Sequence, residues 1–288
     1  MTLTFQNEQD GILLRDFLRR RQVSASLCAA VKRCGGFFAD GAPVRANQRL
    51  AAGQTVSFAL PPEPPTAVRP QDLPLCIVYE DEHLMVLEKP AGQTVHPTRG
   101  YEDGTLANAF LGEMRRRGAQ ALFRPVNRLD REASGLVLCA MNAWAAPILA
   151  AGARKEYLAL AQGELPPGPG VFTQPLGLEE GSIIQRCCRP DGRPSRTEYE
   201  VLESAGGVSL ARCVTVTGRT HQIRVHFAHA GHPLLGDDLY GGSREKIPRV
   251  ALHCACITAP GPASGQLHTF RSAPPPDMER LIFHNFYV

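Results

Sequence analysis

Apolar positions in the first 60 residues follow two different periods. Over residues 11–22 they fall on one face of a predicted helix, with the arginines outside that face. Ser26 is placed to cap a second short helix, which ends at Gly35-Gly36. Asp40-Gly41 then predicts a hairpin turn, and alternating apolar residues at 56–60 predict a closing strand. The pattern therefore predicts a compact unit of two helices and a small sheet.

Prolines interrupt the pattern over residues 61–70. Neither a helix nor a central strand tolerates such a run, so the segment is expected to be a stiff linker. This divides the chain into a small domain at residues 1–60, a linker at 61–72 and a larger domain at 73–288.

The larger domain shows short apolar runs separated mostly by loops. Because long crossover helices do not alternate with these runs, an all-parallel sheet is not expected. The pattern predicts an α+β fold with a mixed, mostly antiparallel sheet. Predicted strands cover residues 75–79, 84–87, 136–140, 157–161, 197–202, 209–216 and 252–257; predicted helices begin after Thr105 and cover 143–149 and 219–229; the Gly/Pro-rich residues 166–170 and 260–265 are expected to be loops.

Composition limits the class of protein. The apolar fraction of 43% and the charged fraction of 20% are ordinary for a globular protein. No apolar run approaches the roughly 20 residues that span a bilayer. The first residues lack the pattern of a secretory signal, and the nine cysteines are odd in number without metal-ligand spacing. We therefore expect free thiols, a cytoplasmic location and no membrane partner.

Charge is distributed unevenly along the chain. The net charge is +3, and residues 1–60 carry eight basic and four acidic side chains, so the remainder is slightly acidic. A basic small domain favours a polyanionic partner, although a solvated basic helix face would give the same composition.

The densest charged segment, residues 127–135, places one carboxylate between two arginines. Asp130 lies between Arg128 and Arg131, just before the apolar run 136–138. The neighbouring positive charge is expected to keep Asp130 ionised, and Ser134-Gly135 suits a tight turn into the strand. Two interpretations are open from this segment alone: an ion pair that fixes the loop, or a reactive carboxylate held by a buried strand.

A second dense segment covers residues 217–237. A helix is expected to open at Gly218, where its N-terminus and adjacent arginines would favour anions. Ile223 and Phe227 are spaced to face the core, and Arg224 lies at the margin of that face. A buried arginine requires a carboxylate partner, and Asp130 is the candidate.

Other residues leave their roles open. Histidines at 221, 226, 229 and 232 raise the possibility of a metal site, although structural or RNA-contacting histidines are the commoner explanation. Tyr157 begins a strand and is either a stacking surface or a core residue. Lys89 ends a strand and is either a phosphate contact or a surface lysine. Neither a P-loop nor a Gly-x-Ser-x-Gly motif is present.

Four stretches together resemble the RluA-type pseudouridine synthases, in the same order as in that family. Residues 11–60 separately resemble the small S-four-like RNA-binding domain that many of its members carry. The four stretches are Lys89–Pro97, Arg128–Leu138, Lys155–Ala159, and Gly218–Gly236 followed by Tyr240-Gly241.

The resemblance implies conversion of uridine to pseudouridine in folded RNA, without a metal or organic cofactor. Asp130 is then the nucleophile, Arg224 its partner, and Tyr157 the residue that stacks on the base. The expected substrate is ribosomal RNA, with transfer RNA as the alternative, and a monomer is expected. The side chains expected to contact RNA are Arg128, Arg131, Lys89, Arg219, His221, Arg19, Lys32 and Arg33.

Two positions depart from the family pattern. Asn127 replaces the usual histidine before Arg128, and Ala133 replaces the usual threonine. Two competing hypotheses follow from the residues: a non-catalytic RNA-binding or ribosome-assembly protein on the same fold, and a metal hydrolase built on the histidines. The sequence names neither the target uridine nor the number of sites.

Overall fold

The structure is a computed structural model that describes residues 1–287. Residues 1–60, called here the N-terminal module, contain two helices and a four-stranded antiparallel sheet in the order β1-β6-β3-β4, with β2 and β5 forming a separate pair. The elements are β1 (Thr2–Gln6), β2 (Ile12–Leu13), α1 (Leu14–Arg20), α2 (Ala25–Arg33), β3 (Phe37–Ala39), β4 (Ala42–Val44), β5 (Arg49–Leu50) and β6 (Thr55–Ala59).

The module follows the predicted pattern with two local differences. The predicted helix over 11–22 is shorter, because its first apolar residues pair as β2 with β5. Ser24, rather than Ser26, caps α2: the Leu27 amide donates to Ser24 Oγ at 3.2 Å. The predicted hairpin is present, since Asp40 and Gly41 both have positive φ and join β3 to β4.

The module packs on the rest of the chain through an apolar contact. Trp144 and Ile148 belong to the same buried cluster as the module's own core residues. The Trp144 indole Nε1 donates to the Arg21 carbonyl at 2.9 Å, and its ring lies 5.3 Å from that of Phe5. Between the two parts, residues 61–72 have no helix or strand but lie against the larger domain, where Asn108 Nδ2 donates to the Arg69 carbonyl at 2.8 Å.

The larger part of the chain, called here the body, surrounds one nine-stranded sheet. Its elements are β7 (Cys76–Glu80), β8 (Leu84–Lys89), α3 (Leu106–Arg116), β9 (Ser134–Ala140), α4 (Ala145–Gly152), β10 (Arg154–Gln162), β11 (Gly168–Phe172), β12 (Leu176–Leu178), β13 (Arg186–Cys188), β14 (Thr197–Ala205), β15 (Val208–Thr215), α5 (Gln222–His229), a 3-10 turn (Asp238–Tyr240), β16 (Leu252–Pro260), β17 (Leu267–Arg271) and α6 (Pro276–Phe286).

The sheet has the order β11-β14-β15-β10-β16-β9-β8-β7, with β17 added on β16. Every neighbouring pair in it is antiparallel except β9 and β16, which run parallel where His253 faces Ser134. The predicted α+β class with a mixed, mostly antiparallel sheet is confirmed. β8 and β9 are buried along nearly their whole length, so the loops at their ends stand on a rigid base.

The larger differences from the sequence prediction lie at the edges. Residues 166–170 were expected to form a loop, but β11 begins at Gly168 and pairs with β14; an edge strand tolerates Pro169. The predicted helix at 219–229 begins only at Gln222. The hairpin of β12 and β13, strand β17 and helix α6 were not predicted. Among residues 1–287, no helix has the length and apolarity that crossing a membrane requires.

Candidate active site

The Asp130 loop precedes the central strand β9 and is fastened to the turn that follows β8. The Arg131 carbonyl accepts hydrogen bonds from the Gly92 amide at 2.7 Å and from Lys89 Nζ at 3.2 Å. Within the loop, the Ala133 amide donates to the Asp130 carbonyl at 3.2 Å. These backbone bonds fix the direction in which the Asp130 side chain leaves the loop.

Lys89 is an internal support of this loop. Its side chain is fully buried, and its ammonium also donates to the Pro90 and Gln93 carbonyls at 2.8 and 2.7 Å. Burial lowers the pKa of Lys89 to about 7, and the charge of Asp130 acts in the opposite direction. Lys89 was expected to contact RNA phosphate or to lie at the surface; neither fits, because β8 ends inside the protein.

Asn127 and Gly135 anchor the two ends of the same segment. The Asn127 amide donates to the Leu136 carbonyl at 3.0 Å and accepts from the Leu138 amide at 2.9 Å, so both of its polar atoms hold β9. Gly135 has φ +110°, and a Cβ there would lie 2.4 Å from the Cys254 carbonyl oxygen. Only glycine fits this close approach of β9 to β16.

Arg224 on α5 links two carboxylates from different parts of the chain. Its Nη1 donates to Asp130 Oδ2 at 3.1 Å, while its Nε and Nη2 donate to the two oxygens of Asp237 at 2.7 and 2.8 Å. Asp237 is fully buried, and the guanidinium lies 5.0 Å from the centre of the Tyr240 ring. Burial lowers the pKa of Arg224, but the hydrogen bonds and charges of Asp237 and Asp130 outweigh it, and the net direction is upward.

The predicted pairing of Arg224 with Asp130 is present, and it changes the view of the flanking arginines. Among the described residues, the ion-pair partner of Asp130 is Arg224, and His221 Nε2 lies 3.9 Å from Asp130 Oδ1. Arg128 and Arg131, its neighbours in sequence, do not pair with it. The positive charge that pairs with Asp130 therefore belongs to Arg224, a residue 94 positions away in the sequence.

His221 stands beside Asp130 in an unusual backbone conformation. It precedes α5 with φ 57° and ψ 19°, the left-handed region that non-glycine residues seldom occupy. Its Nδ1 is hydrogen-bonded to Tyr240 Oη at 2.8 Å. Burial lowers the pKa of His221, with the Asp130 charge opposing it, so the neutral imidazole is favoured at neutral pH.

Tyr157 forms part of the wall of the same site. It lies on β10 and is buried, with its hydroxyl beside the Thr215 side chain. Burial raises the pKa of Tyr157 well above its ordinary value, so the hydroxyl stays protonated. The two interpretations from the sequence are compatible, because the ring is part of the core and one side of it faces a cavity.

The cavity has a volume of about 290 Å³, at the lower end of the range for small-ligand pockets. We call it the substrate cavity. Asp130 and Tyr157 line it together with apolar residues of the Asp130 loop, α5 and β16. Its lining residues are Pro125, Val126, Asn127, Arg128, Leu129, Asp130, Ala133, Lys155, Tyr157, Thr215, Gly218, Arg219, Thr220, His221, Gln222, Ile223 and Leu252.

The other residues expected to bind RNA lie in different places. Arg131 is exposed, with its guanidinium 5.0 Å from the centre of the Tyr101 ring. Arg19, Lys32 and Arg33 are exposed on the helices of the N-terminal module and do not line the substrate cavity. The structure therefore separates the predicted set into residues at the cavity, one buried support, the exposed Arg131 and three basic residues of the N-terminal module.

Asp237 and Tyr240 are the site residues that the sequence prediction did not include. Asp237 could have been expected from the rule that a buried arginine needs carboxylate partners, but the sequence prediction assigned Asp130 as the partner of Arg224 and looked for no second one. The Tyr240 hydroxyl accepts a hydrogen bond from the Arg186 amide at 2.9 Å and is also hydrogen-bonded to His221, so it connects β13 to the loop before α5. No periodicity in the sequence marks that role.

Three of the four histidines of the second segment, His221, His226 and His232, have separate protein partners. His226 is buried and hydrogen-bonded to Ser195 and Thr197 at 3.0 and 2.9 Å, and His232 Nδ1 lies 2.9 Å from the Gln162 carbonyl. Among residues 1–287, no group of three or more His, Cys, Asp or Glu side chains has the arrangement of a metal site.

The substrate cavity therefore brings together a carboxylate paired with a buried arginine and a buried tyrosine, at a mixed, mostly antiparallel sheet. A family model described as RNA pseudouridylate synthase matches residues 83–229. The chain belongs to the RNA pseudouridylate synthase family and is an RNA pseudouridine synthase, an isomerase.

Relatives of known sequence agree over most of the chain. The chain is 35% identical over 270 residues to a ribosomal large subunit pseudouridine synthase D from Xanthomonas campestris, covering 87% of this chain and 81% of the relative. It is 39% identical over 252 residues to an uncharacterized RNA pseudouridine synthase from Chloroflexus aurantiacus, covering 84% and 79%. These matches confirm the resemblance to the RluA-type family; the S-four-like character of the module stays a prediction.

Among solved structures, the chain is similar to human RNA Pseudouridylate Synthase Domain Containing 1. The TM-score is 0.59 at 26% sequence identity, covering 75% of this chain and 89% of that chain. A second human protein, RNA Pseudouridylate Synthase Domain Containing 4, has a TM-score of 0.57 at 20% identity and covers 72% and 91%, which shows the shared fold.

Proposed function

We propose that this enzyme converts uridine to pseudouridine in ribosomal RNA, with Asp130 as the nucleophile. The observation that supports Asp130 most directly is its position at the substrate cavity, 3.1 Å from a buried arginine. The ribosomal substrate rests on relatives named as ribosomal large subunit pseudouridine synthases.

The proposed chemistry needs no co-reactant, because uridine and pseudouridine are isomers. The Asp130 carboxylate attacks carbon 1′ of the ribose, and the bond from carbon 1′ to nitrogen 1 of uracil breaks. The freed uracil turns within the cavity, and its carbon 5 displaces Asp130 from carbon 1′. Carbon 5 then loses its proton, and nitrogen 1 gains one. A carboxylate suits this sequence because it both forms and leaves a glycosyl centre.

Arg224 and Tyr157 have distinct roles in this proposal. Arg224 compensates the charge of Asp130 when the carboxylate is released, and its bidentate bond to Asp237 keeps the guanidinium in place. Tyr157 stacks against the uracil ring. Because its hydroxyl stays protonated, Tyr157 can take part in proton transfer only if it gives up its own proton and takes another in the same step.

The target nucleotide must leave its stack, because Asp130 lies at a cavity and not on an open face. Arg128, Arg219 and His221 line that cavity and are placed to hold the nucleotide at its entrance. We assign Arg19, Lys32 and Arg33 of the N-terminal module to contacts with more distant RNA phosphates, which position the substrate without reading its sequence.

Replacing the nucleophile tests this mechanism. Asp130→Asn preserves the side-chain shape and should abolish pseudouridine formation in transcripts of large-subunit ribosomal RNA while RNA binding is retained. Asp72→Asn, at an exposed position that does not line the cavity, is the matched control and should be as active as the wild type. Pseudouridine formed by Asp130→Asn would contradict the assignment, and RNA binding without conversion by the wild type would favour a non-catalytic protein.

The role of the module requires its own measurement. Charge reversal at Arg19, Lys32 and Arg33 should weaken binding to long ribosomal RNA and leave the conversion of a short RNA around the target uridine unchanged. Reversal of the exposed Arg154 is the control. If the triple variant and the wild type bind long RNA with equal affinity, the assignment of the N-terminal module to RNA contacts is wrong.

A further inference from the structure

A second cavity adjoins the substrate cavity, and arginine is the commonest residue in its lining. Its volume is about 620 Å³, and it shares the stretch Gly218–Thr220 and Arg128 with the substrate cavity. We call it the arginine groove. One aspartate and five arginines line it, with the arginines at Arg128, Arg186, Arg189, Arg193 and Arg219.

The far side of the groove is formed by a hairpin that the function described so far does not use. Residues 176–193, called here the arm, contain β12, β13 and their connecting loops. The arm is attached to the active site through the Arg186 amide, which donates to Tyr240 Oη at 2.9 Å. Tyr240 in turn contacts Arg224 and His221, so the arm has a fixed place relative to Asp130.

The arginines of the groove are only partly neutralised by protein partners. Arg189 forms an ion pair with Asp191 at 2.6 Å, while Arg219 Nε donates to the Pro194 carbonyl at 3.1 Å. Among residues 1–287, Arg186 lines the groove without an ion-pair partner, and its Nε lacks a hydrogen-bond partner. An anion bound in the groove would give this guanidinium the charge partner that it lacks.

The tip of the arm has the opposite character. Ile183 is 84% exposed and Ile184 is 59% exposed, side by side at the end of the hairpin. Two large aliphatic side chains at a loop tip cost free energy in water unless a partner covers them. In several DNA-binding proteins, apolar side chains insert between base steps and help to unstack them.

From these observations we infer that the arginine groove binds the sugar–phosphate backbone of the RNA next to the target uridine, and that Ile183 and Ile184 contact its bases. A strand whose target base occupies the substrate cavity must pass Arg128 and Arg219, which line both cavities. Its next phosphates then lie among the remaining arginines. This inference rests on the proposed function, because it takes the strand entering the substrate cavity to be RNA.

The charge part is tested by the salt dependence of RNA binding. Arg186→Gln combined with Arg193→Gln should weaken binding to a large-subunit ribosomal RNA transcript. For single strands each lost phosphate contact lowers the slope of log affinity against log salt by about 0.7, so a decrease of about 1.4 is expected. Arg193→Gln alone, at an exposed position, should give half of that decrease if the double variant does not fold. Arg154→Gln is the control.

The apolar part has a different signature. Ile183→Ser with Ile184→Ser should raise the dissociation constant roughly tenfold without changing the salt slope, because the lost contact is apolar. Leu267→Ser, another exposed aliphatic position, is the control and should leave binding unchanged.

The outcomes separate the two proposals. A wild-type protein that forms no pseudouridine in any ribosomal RNA transcript overturns the proposed function. If the wild type is active and the arginine variants keep its RNA affinity and salt slope, the arginine groove does not bind the RNA backbone. If the isoleucine variants keep the wild-type affinity, Ile183 and Ile184 do not contact the bases.

Discussion

Arg224→Met is expected to destabilise the protein more than the loss of the Asp130 carboxylate, one of the two carboxylates that Arg224 binds. The substitution keeps a long side chain but removes the charge shared by Asp130 and Asp237. Asp130 is partly exposed and can be solvated by water. Asp237 is fully buried, and within residues 1–287 both of its side-chain oxygens accept from Arg224 alone. In Arg224→Met the Asp237 carboxylate is therefore left charged, buried and unpaired.

The structure sets the order of the effects. Removing one partner of a buried ion pair costs about 3–5 kcal/mol, which is the expected loss of unfolding free energy for Arg224→Met. Asp130→Asn breaks one hydrogen bond at 3.1 Å and leaves Arg224 paired with Asp237, so about 1 kcal/mol is expected. In Arg224→Met with Asp237→Asn the buried charge is gone, and about 2 kcal/mol of the loss should be recovered.

Urea unfolding of the wild type, Arg224→Met, Asp130→Asn and the double variant Arg224→Met with Asp237→Asn measures this order. The double variant should be more stable than Arg224→Met although it carries one more substitution. All variants of Asp130 and Arg224 should lack activity, so stability distinguishes them where turnover does not. If Arg224→Met unfolds at the wild-type urea concentration, or the double variant is no more stable than the single one, the assignment of Asp237 as a buried charged partner is wrong.

Three further predictions concern residues around the same loop. Gly135→Ala should cost about 3 kcal/mol or more in urea unfolding, because the new methyl group meets the Cys254 carbonyl, while Gly168→Ala, at the same φ of +110° in open space, should cost clearly less; equal losses would exclude the close contact as the cause. Burial lowers the pKa of His253 to about 4, so on acidification this residue takes up a proton at a lower pH in the folded state than in the unfolded state. The wild type should therefore lose about 3 kcal/mol of stability as the pH falls from 6.5 to 4, and His253→Gln should not show this loss. Tyr157→Phe should reduce turnover about a hundredfold with no change in the shape of its pH profile between 6 and 9, because the hydroxyl does not titrate there; a profile that shifts in that range would contradict a protonated tyrosine.

The sequence predicted most of the central sheet and the pairing of Arg224 with Asp130. Both follow from strong constraints: β8 and β9 are buried apolar runs, and a buried arginine requires a carboxylate. The edge elements were missed because a short edge strand such as β11 contains Gly and Pro and lacks an apolar run, so nothing in its pattern distinguishes it from a loop.

Side-chain direction at the end of a strand was the other limit. Lys89 was predicted to contact RNA, with a surface lysine as the alternative, but its ammonium is surrounded by the carbonyls of Pro90, Gln93 and Arg131. Those acceptors belong to residues up to 42 positions away, and no local pattern reveals them. For the same reason Asp237 was missed as the second partner of Arg224.

Trp144 gives the enzyme an optical probe at a known place. It is the single tryptophan of the chain, and it is buried where the N-terminal module contacts the body. The emission spectrum of the unlabelled protein therefore arises from one indole whose surroundings depend on that contact. If the module moves away from the body when RNA arrives, water reaches the ring and the emission shifts to the red, so the motion can be timed by stopped-flow fluorescence without any added dye.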